Sequence, residues 1–340
     1  MRPLDNQQRL HMVESDQLYR AWIEAYRQAM SYRYGMKWVS SKARQYLVRL
    51  HDARGNGKSL GPRNEETEAI FLAFSQGRDR AKARFQSLSE QMTRQARLNK
   101  ATRLGRLPSI IASVLMELDL AGCEKDFCVV GTHAIFAYES MAGVHCAAEL
   151  LASGDVDLLY DPRKQLSLVS EKLNEAGLLG LLRRVDKSFE IISETRFRAA
   201  NKNGFMVDLL IPTRDIRVAD AVTFSEDDLC AVEVPNLHWL SNAPKCDTVV
   251  IAHNGQPVRM RCPDPRAFSL HKAWLSVQSD REPIKKQRDH DQAVMVAELI
   301  LKHLPAYPFE RAALKFLSED MIRQATAELD PEVQLPKLSF

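Results

Sequence analysis

The sequence has no C-x-x-C pair among its six cysteines, Cys123, Cys128, Cys146, Cys230, Cys246 and Cys262. Thiols spread in this way over a long chain exclude a zinc ribbon and a small disulfide scaffold. They read as reduced thiols in a cytosolic protein. His145 with Cys146, and His271 with His290, lack zinc-ligand spacing. No apolar run approaches the ~20 residues of a membrane span. The opening "MRPLDNQQRLHMVESD" lacks the apolar stretch of a secretory leader, so the expected location is cytoplasmic, away from any membrane. Glycine is missing where a phosphate loop would need it: "GNGKS" has Asp52 at the first glycine position. There is no internal repeat, no low-complexity linker and no large charge of one sign. The net charge of +3 and pI near 8.5 permit an anionic partner without demanding one.

What is present is an ordinary globular composition over 340 residues, enough for more than one compact unit. Residues 1–107 read as helical. "SDQLYRAWIEAYRQAM" carries Leu18, Trp22, Ala25 and Met30 near helical spacing, with Ser15 and Asp16 as caps. "GNGKSLGPRN" reads as a loop, and a second helix follows from Glu65 to Asn99. Its later part is basic: Arg78, Arg80, Lys82, Arg84, Arg94, Arg97, Lys100, Arg103 and Arg106 stand against Asp79 and Glu90. That run is either a solvated helix face or a track for RNA or DNA phosphates.

From Pro108 the texture becomes mixed. "PSIIASVLMELDLAG" has Ile111, Leu115 and Leu118 on one helical face. "DFCVVG" and "GDVDLLYD" read as strands around the helix "THAIFAYESMAG". "KQLSLVSEKLNEAG" is a helix with Gly177 as C-cap. "SFEIISETRFRAANKNGFMVDLLIP" is a hairpin turning at Asn201–Gly204. Further strands are expected at Ala231–Val234, Thr248–Ala252 and Val258–Arg261, with a hairpin turn at Asn254–Gly255. From Pro265 the chain is helical. The expected fold class is α+β: a mixed sheet with flanking helices in a core at 108–264, a helical N-terminal region at 1–107 and a helical C-terminal region at 265–340.

The chemistry concentrates in the apolar strand "DVDLLY". Asp155 and Asp157 are two residues apart and share one face of the strand. Adjacent carboxylates repel, and burying them unpaired is costly. A divalent cation removes that penalty, and Mg²⁺ (or Mn²⁺) prefers such oxygen ligands while leaving positions for phosphate and water. "GFMVDLLIP" supplies a third carboxylate, Asp208. Three strand aspartates suit a one- or two-metal phosphoryl-transfer site. Alternatively they end strands and meet arginines such as Arg183, Arg184 or Arg196. Gly131 and Thr132 lie between a strand and a helix N-terminus, where backbone N–H groups face an anion; Thr132 could also be the N-cap. His133 either touches phosphate or fills the first helical turn. Trp239 and Trp274 read as core.

The run "VVGT…GDVDLL…MVDLL" resembles the DNA polymerase β-like nucleotidyltransferase superfamily. That resemblance implies that Gly131 and Thr132 hold the β- and γ-phosphates of an NTP. It implies that Asp155 and Asp157 bind both metals, and that Asp208 binds the catalytic metal and acts on the attacking hydroxyl. Threonine stands where serine is commoner, and "HCAAELLASG" looks inserted between the motifs. Lys272 in "FSLHKAWLS" and the Arg288–Asp289 pair are similar to stand-alone bacterial members, including abortive-infection type IV toxins, in which an R-D pair opens a helix. By that similarity Lys272 contacts triphosphate, and Lys286 or Arg288 supports phosphate or acceptor. Lys272 could otherwise be a surface ammonium, and Asp289 a helix cap. The resemblance covers residues 108–300. It implies transfer of a nucleoside monophosphate from an NTP to a hydroxyl of tRNA, other RNA, protein or a small molecule. It further implies a toxin or phage-defence role, with an antitoxin or a second copy as partner. The alternative is a catalytically silent nucleotide or RNA sensor.

Overall fold

The computed structural model describes residues 1–335 except 42–43, 162, 164–165, 174–176, 193 and 214–221. It is an α+β protein with ten α-helices among the described residues. Strand β1 (Arg2–Pro3) is followed by α1 (Asn6–Ser31). Asp5 and Gln8 form a reciprocal capping box at the start of that helix, so Ser15 and Asp16 lie inside it and cap nothing. Three strands then correct the all-helical expectation for residues 1–107: β2 (Met36–Ser41), β3 (Arg44–Leu50) and β4 (Gly57–Pro62) form an antiparallel sheet. Its cross-strand pairs Trp38↔Leu47 and Val39↔Tyr46 are the aromatic and branched residues that suit a pleated surface. The "GNGKS" stretch runs into β4, paired with β3, which leaves no phosphate loop.

Helix α2 (Glu65–Ala101) returns antiparallel to α1, as the contacts Trp22–Ser89 and Ser15–Asn99 require. Tyr26 and Phe85 pack ring on ring with Trp22 between the helices. The small sheet rests on the other end of α2, through Trp38 on Phe71. At 1.5 Å rise per residue, Phe71 and Asn99 are about 40 Å apart along the helix. The pair is therefore a long arm with a sheet at its tip.

Polar anchors fasten the arm to the rest. Next come α3 (Ser109–Leu120), β5 (Phe127–Val130), a 3₁₀ turn at Gly131–Ala134, α4 (Ile135–Ala142), β6 (Val144–His145) and β7 (Asp155–Tyr160). Asp119 of α3 is 1 % exposed; it accepts from the Tyr19 hydroxyl at 2.6 Å and from Arg27 at 2.7 Å. Arg259 approaches the same carboxylate at 3.7 Å. Asn99 donates to the Gly255 carbonyl at 2.9 Å.

The chain continues through α5 (Leu166–Leu173), α6 (Gly177–Val185), β8 (Glu190–Ile191), β9 (Arg198–Ala200), β10 (Met206–Pro212), β11 (Val232–Val234), α7 (His238–Asn242), β12 (Lys245–Ile251) and β13 (Pro257–Pro263). Gly177 has the left-handed φ of 58° expected of a helix terminator, and the next helix starts on it. Parts of the expected helix at 164–177 lie outside the described residues. The Asn201–Gly204 and Asn254–Gly255 turns close the β9–β10 and β12–β13 hairpins as expected. The central sheet has the order β5-β7-β10-β9-β8, with β11 added parallel to β10. Finally α8 (Pro265–Ser276), α9 (Pro283–His303) and α10 (Glu319–Val333) pack on the sheet side. One hydrophobic core runs from Leu107 to Leu335 and includes Val156, Leu158, Val207 and Leu209 of the strands that carry the aspartates. Trp239 and Trp274 meet edge-on at 5.0 Å within this packing. All six cysteines are free thiols. No helix among the described residues is long and apolar enough to cross a membrane.

Asp119→Ala removes the shared acceptor of Tyr19, Arg27 and Arg259. It is expected to lower the unfolding free energy by roughly 3 kcal/mol, as for other buried ion pairs that lose one partner. Urea denaturation followed by circular dichroism checks this.

Candidate active site

The central sheet creates the site by its strand order. β7 lies between β5 and β10, and β10 runs parallel to it with Asp208 directly beside Asp157 and Met206 beside Asp155. In-register residues of neighbouring strands face the same side, as do residues two apart on one strand. Asp155, Asp157 and Asp208 therefore converge, each offering a carboxylate oxygen within 4.8 Å of the others. Opposite ligands of an octahedral Mg²⁺ are about 4.2 Å apart, so the three donors fit one hard cation with small side-chain adjustments.

Each carboxylate has a distinct environment. Asp157 is pushed up to about 7 by burial and then by its two acidic neighbours, against the opposing pull of Lys272 and Arg198. Asp155 accepts from the Ser153 hydroxyl at 2.6 Å. Asp208 is 4 % exposed and is gripped by Arg198, with Nε at 2.6 Å from Oδ1 and Nη2 at 2.5 Å from Oδ2. The same guanidinium lies 3.9 Å from Asp155. The arginine that meets the carboxylates is thus Arg198; Arg183 donates to the Phe189 carbonyl, Arg184 pairs with Glu117, and Arg196 is exposed. Counting back from a turn at Asn201–Gly204 would set Arg198 opposite Val207; Asn201 instead pairs with Phe205, and that shift of one residue brings Arg198 opposite Asp208.

Gly131 is required by contact as well as by conformation. Its φ is 65°, and a side chain there would collide with the Asp157 carboxylate. Thr132 follows in the 3₁₀ turn and is not a helix cap; the residue before α4 is Ala134, without a side-chain cap. The Thr132 hydroxyl instead accepts from Gln292 Nε2 at 3.1 Å and from Arg288 Nη2 at 3.3 Å. Arg288 also donates to the Ala152 carbonyl and Gln292 to that of Leu150, which ties the segment inserted before Asp155 to α9. Gln292 had no local signal beyond standing four residues after Arg288, on the same helical face. His133 is 1 % exposed, stacks on Phe136 and is held neutral by burial, which lowers it to about 4. It fills the turn beside the site.

Two expectations about the C-terminal helices need correction. The Arg288–Asp289 pair does not open a helix: α9 begins at Pro283, so Asp289 lies within it and caps nothing. Asp289 is buried and joins Lys272 at 2.6 Å with Arg281 at 2.7 Å. Lys272 is 8 % exposed, so it is no surface ammonium. Burial lowers its pKa, and Asp289 opposes that shift.

Asp157 titrates in the fold well above an unfolded aspartate, so its ionisation weakens the metal-free fold as pH rises from about 4 to 7. Asp157→Asn is therefore expected to stabilise the chelator-treated protein by about 2 kcal/mol near pH 8, discounting the full shift for partial solvent access. Near pH 3, where the carboxyl is mostly protonated in both states, most of the gain should vanish. Thermal melts at both pH values check this.

A search of curated proteins and a search of solved structures each returned no match. The sequence pattern of a nucleotidyltransferase family matches residues 109–318, a span that starts with α3 and holds the whole site. With Asp155, Asp157, Asp208, Gly131, Lys272 and Arg288 all inside that span, the chain belongs to this nucleotidyltransferase family of transferase enzymes.

Proposed function

We propose that the protein transfers a nucleoside monophosphate from an NTP to a hydroxyl acceptor, on a polymerase β-like core. The observation that carries this reading is the convergence of Asp155, Asp157 and Asp208 within 4.8 Å beside the Gly131–Thr132 turn. The three aspartates would hold Mg²⁺ or Mn²⁺, which when bound would neutralise charge on the triphosphate and on departing pyrophosphate. Gly131 and Thr132 would receive the β- and γ-phosphates at the turn that leads into α4. An acceptor hydroxyl oxygen would form a bond to the α-phosphorus while the bond to the bridging oxygen breaks and pyrophosphate leaves. Asp208 would take the hydroxyl proton. Arg198 occupies two of the four lone-pair sites of that carboxylate, which leaves two for substrate and cation. Lys272, whose charge acts on Asp157, and Arg288, beside Thr132, would add positive charge where the leaving group's charge grows.

The acceptor we favour is RNA, tRNA included, on grounds of charge. Residues 33–107 carry seventeen lysines and arginines against six carboxylates, whereas the remainder of the chain has thirty against thirty-eight. The excess thus belongs to the arm: Arg33, Lys37, Arg44, Arg54 and Lys58 are exposed around the tip sheet, and Arg80, Lys82, Arg94 and Arg97 lie along α2. A cationic rod about 40 Å long suits an extended polyanion better than a single side chain or a small molecule. A toxin or defence role would follow if the acceptor is an essential RNA.

Incubation with α-³²P-labelled NTPs, Mg²⁺ or Mn²⁺ and total bacterial RNA or lysate tests the reading. Label should appear on RNA and be lost in the Asp155→Ala/Asp157→Ala variant. Label on protein would replace the acceptor, and tight nucleotide binding without any consumption would make the protein a sensor. Expression of the active chain should slow bacterial growth, and the double variant should not.

A further inference from the structure

The Thr132 hydroxyl has one proton to donate and two lone pairs to accept with. Both lone pairs meet groups that can only donate. Arg288 is a guanidinium and has no acceptor. The orientation of Gln292 is fixed by chemistry: the atom 2.7 Å from the Leu150 carbonyl must be the amide nitrogen, because a carbonyl cannot donate. That same nitrogen faces Thr132 Oγ1 at 3.1 Å. Gln292 is 0 % exposed, so water cannot take over its role. Among the described residues nothing accepts the Thr132 proton, although the residue is only 8 % exposed. It stands one position from Gly131, which packs against the Asp157 carboxylate.

We infer that Gln292 is a positioning residue for the nucleotide: with Arg288 it fills both acceptor sites of Thr132 and so commits the hydroxyl proton to an anionic oxygen of the triphosphate. This rests on the nucleotide-binding reading above and adds a residue to it. A hydroxyl free to rotate would spend part of its time accepting in the wrong direction, whereas one held by two donors is preset for phosphate. The same two side chains, one turn apart on α9, also hold the Leu150 and Ala152 carbonyls ahead of Asp155. One helix face therefore sets both the phosphate donor and the approach to the first metal-binding aspartate.

The test is a calorimetric titration of the full chain with Mg²⁺ and non-hydrolysable α,β-methylene nucleoside triphosphates. Gln292→Met and Thr132→Val should each weaken binding roughly tenfold or more, as for a lost hydrogen bond to a charged group. Combining them should cost no more than the larger single effect, because both remove one interaction. Thr132→Ser keeps the hydroxyl and should keep the affinity. If Gln292→Met does not fold, Gln292→Glu has nearly the same volume and turns the donor into an acceptor that captures the Thr132 proton; the same pattern is expected. Unchanged affinity in the Gln292 variants, or losses that simply add to those of Thr132→Val, would overturn the inference while leaving the nucleotide reading intact. A wild-type protein that binds no triphosphate would overturn both.

Discussion

Repulsion among Asp155, Asp157 and Asp208 is the constraint around which the rest of the molecule is arranged. Three carboxylates whose oxygens come within 4.8 Å of one another, on strands whose other faces are fully packed, destabilise any fold that leaves them uncompensated. The surrounding structure supplies partial compensation only. Arg198 grips Asp208 from the adjacent hairpin strand, Ser153 donates to Asp155, and Lys272, tied to Asp289, pulls on Asp157 through its charge. Asp157 still carries an unrelieved penalty, visible in a pKa raised to about 7. A site that retains such a penalty is poised for a cation from outside.

The elements that frame the carboxylates follow from the same requirement. β10 must lie beside β7 in parallel for Asp208 to meet Asp157, and the β9 hairpin must return antiparallel for Arg198 to reach across. Gly131 must lack a side chain because Asp157 occupies that space. Helix α9 closes the other side by holding Thr132 and the Leu150–Ala152 carbonyls through Arg288 and Gln292. Among the described residues the arm supplies no partner to these carboxylates. It is fastened through the Asp119 cluster and Asn99, and it carries positive charge away from a core that is otherwise net negative.

The aspartates, the glycine turn and both hairpins were legible because each depends on local pattern: period-two alternation, a glycine between strand and helix, and turn dipeptides. The tip sheet was hidden because its strands are short and mostly exposed, with Leu47 its single buried residue among those described, so no hydrophobic alternation marks them. The start of α1 was missed because its cap, Asp5, precedes a polar first turn. Lys272 and Asp289 form a buried pair seventeen residues apart in sequence. Tertiary packing of α8 on α9 decides that pairing, and no spacing rule for a single helix contains it. Gln292 was invisible for the same reason, since its partners lie about 140 and 160 residues upstream.

The central claim, that the three strand aspartates form a cation site, is tested most directly by anomalous diffraction from crystals of the full chain grown or soaked with Mn²⁺. The account predicts an anomalous peak bounded by the carboxylates of Asp155, Asp157 and Asp208, with at least one Asp208 oxygen turned to it from Arg198. No peak there at saturating Mn²⁺, with Arg198 still holding both Asp208 oxygens, would contradict it.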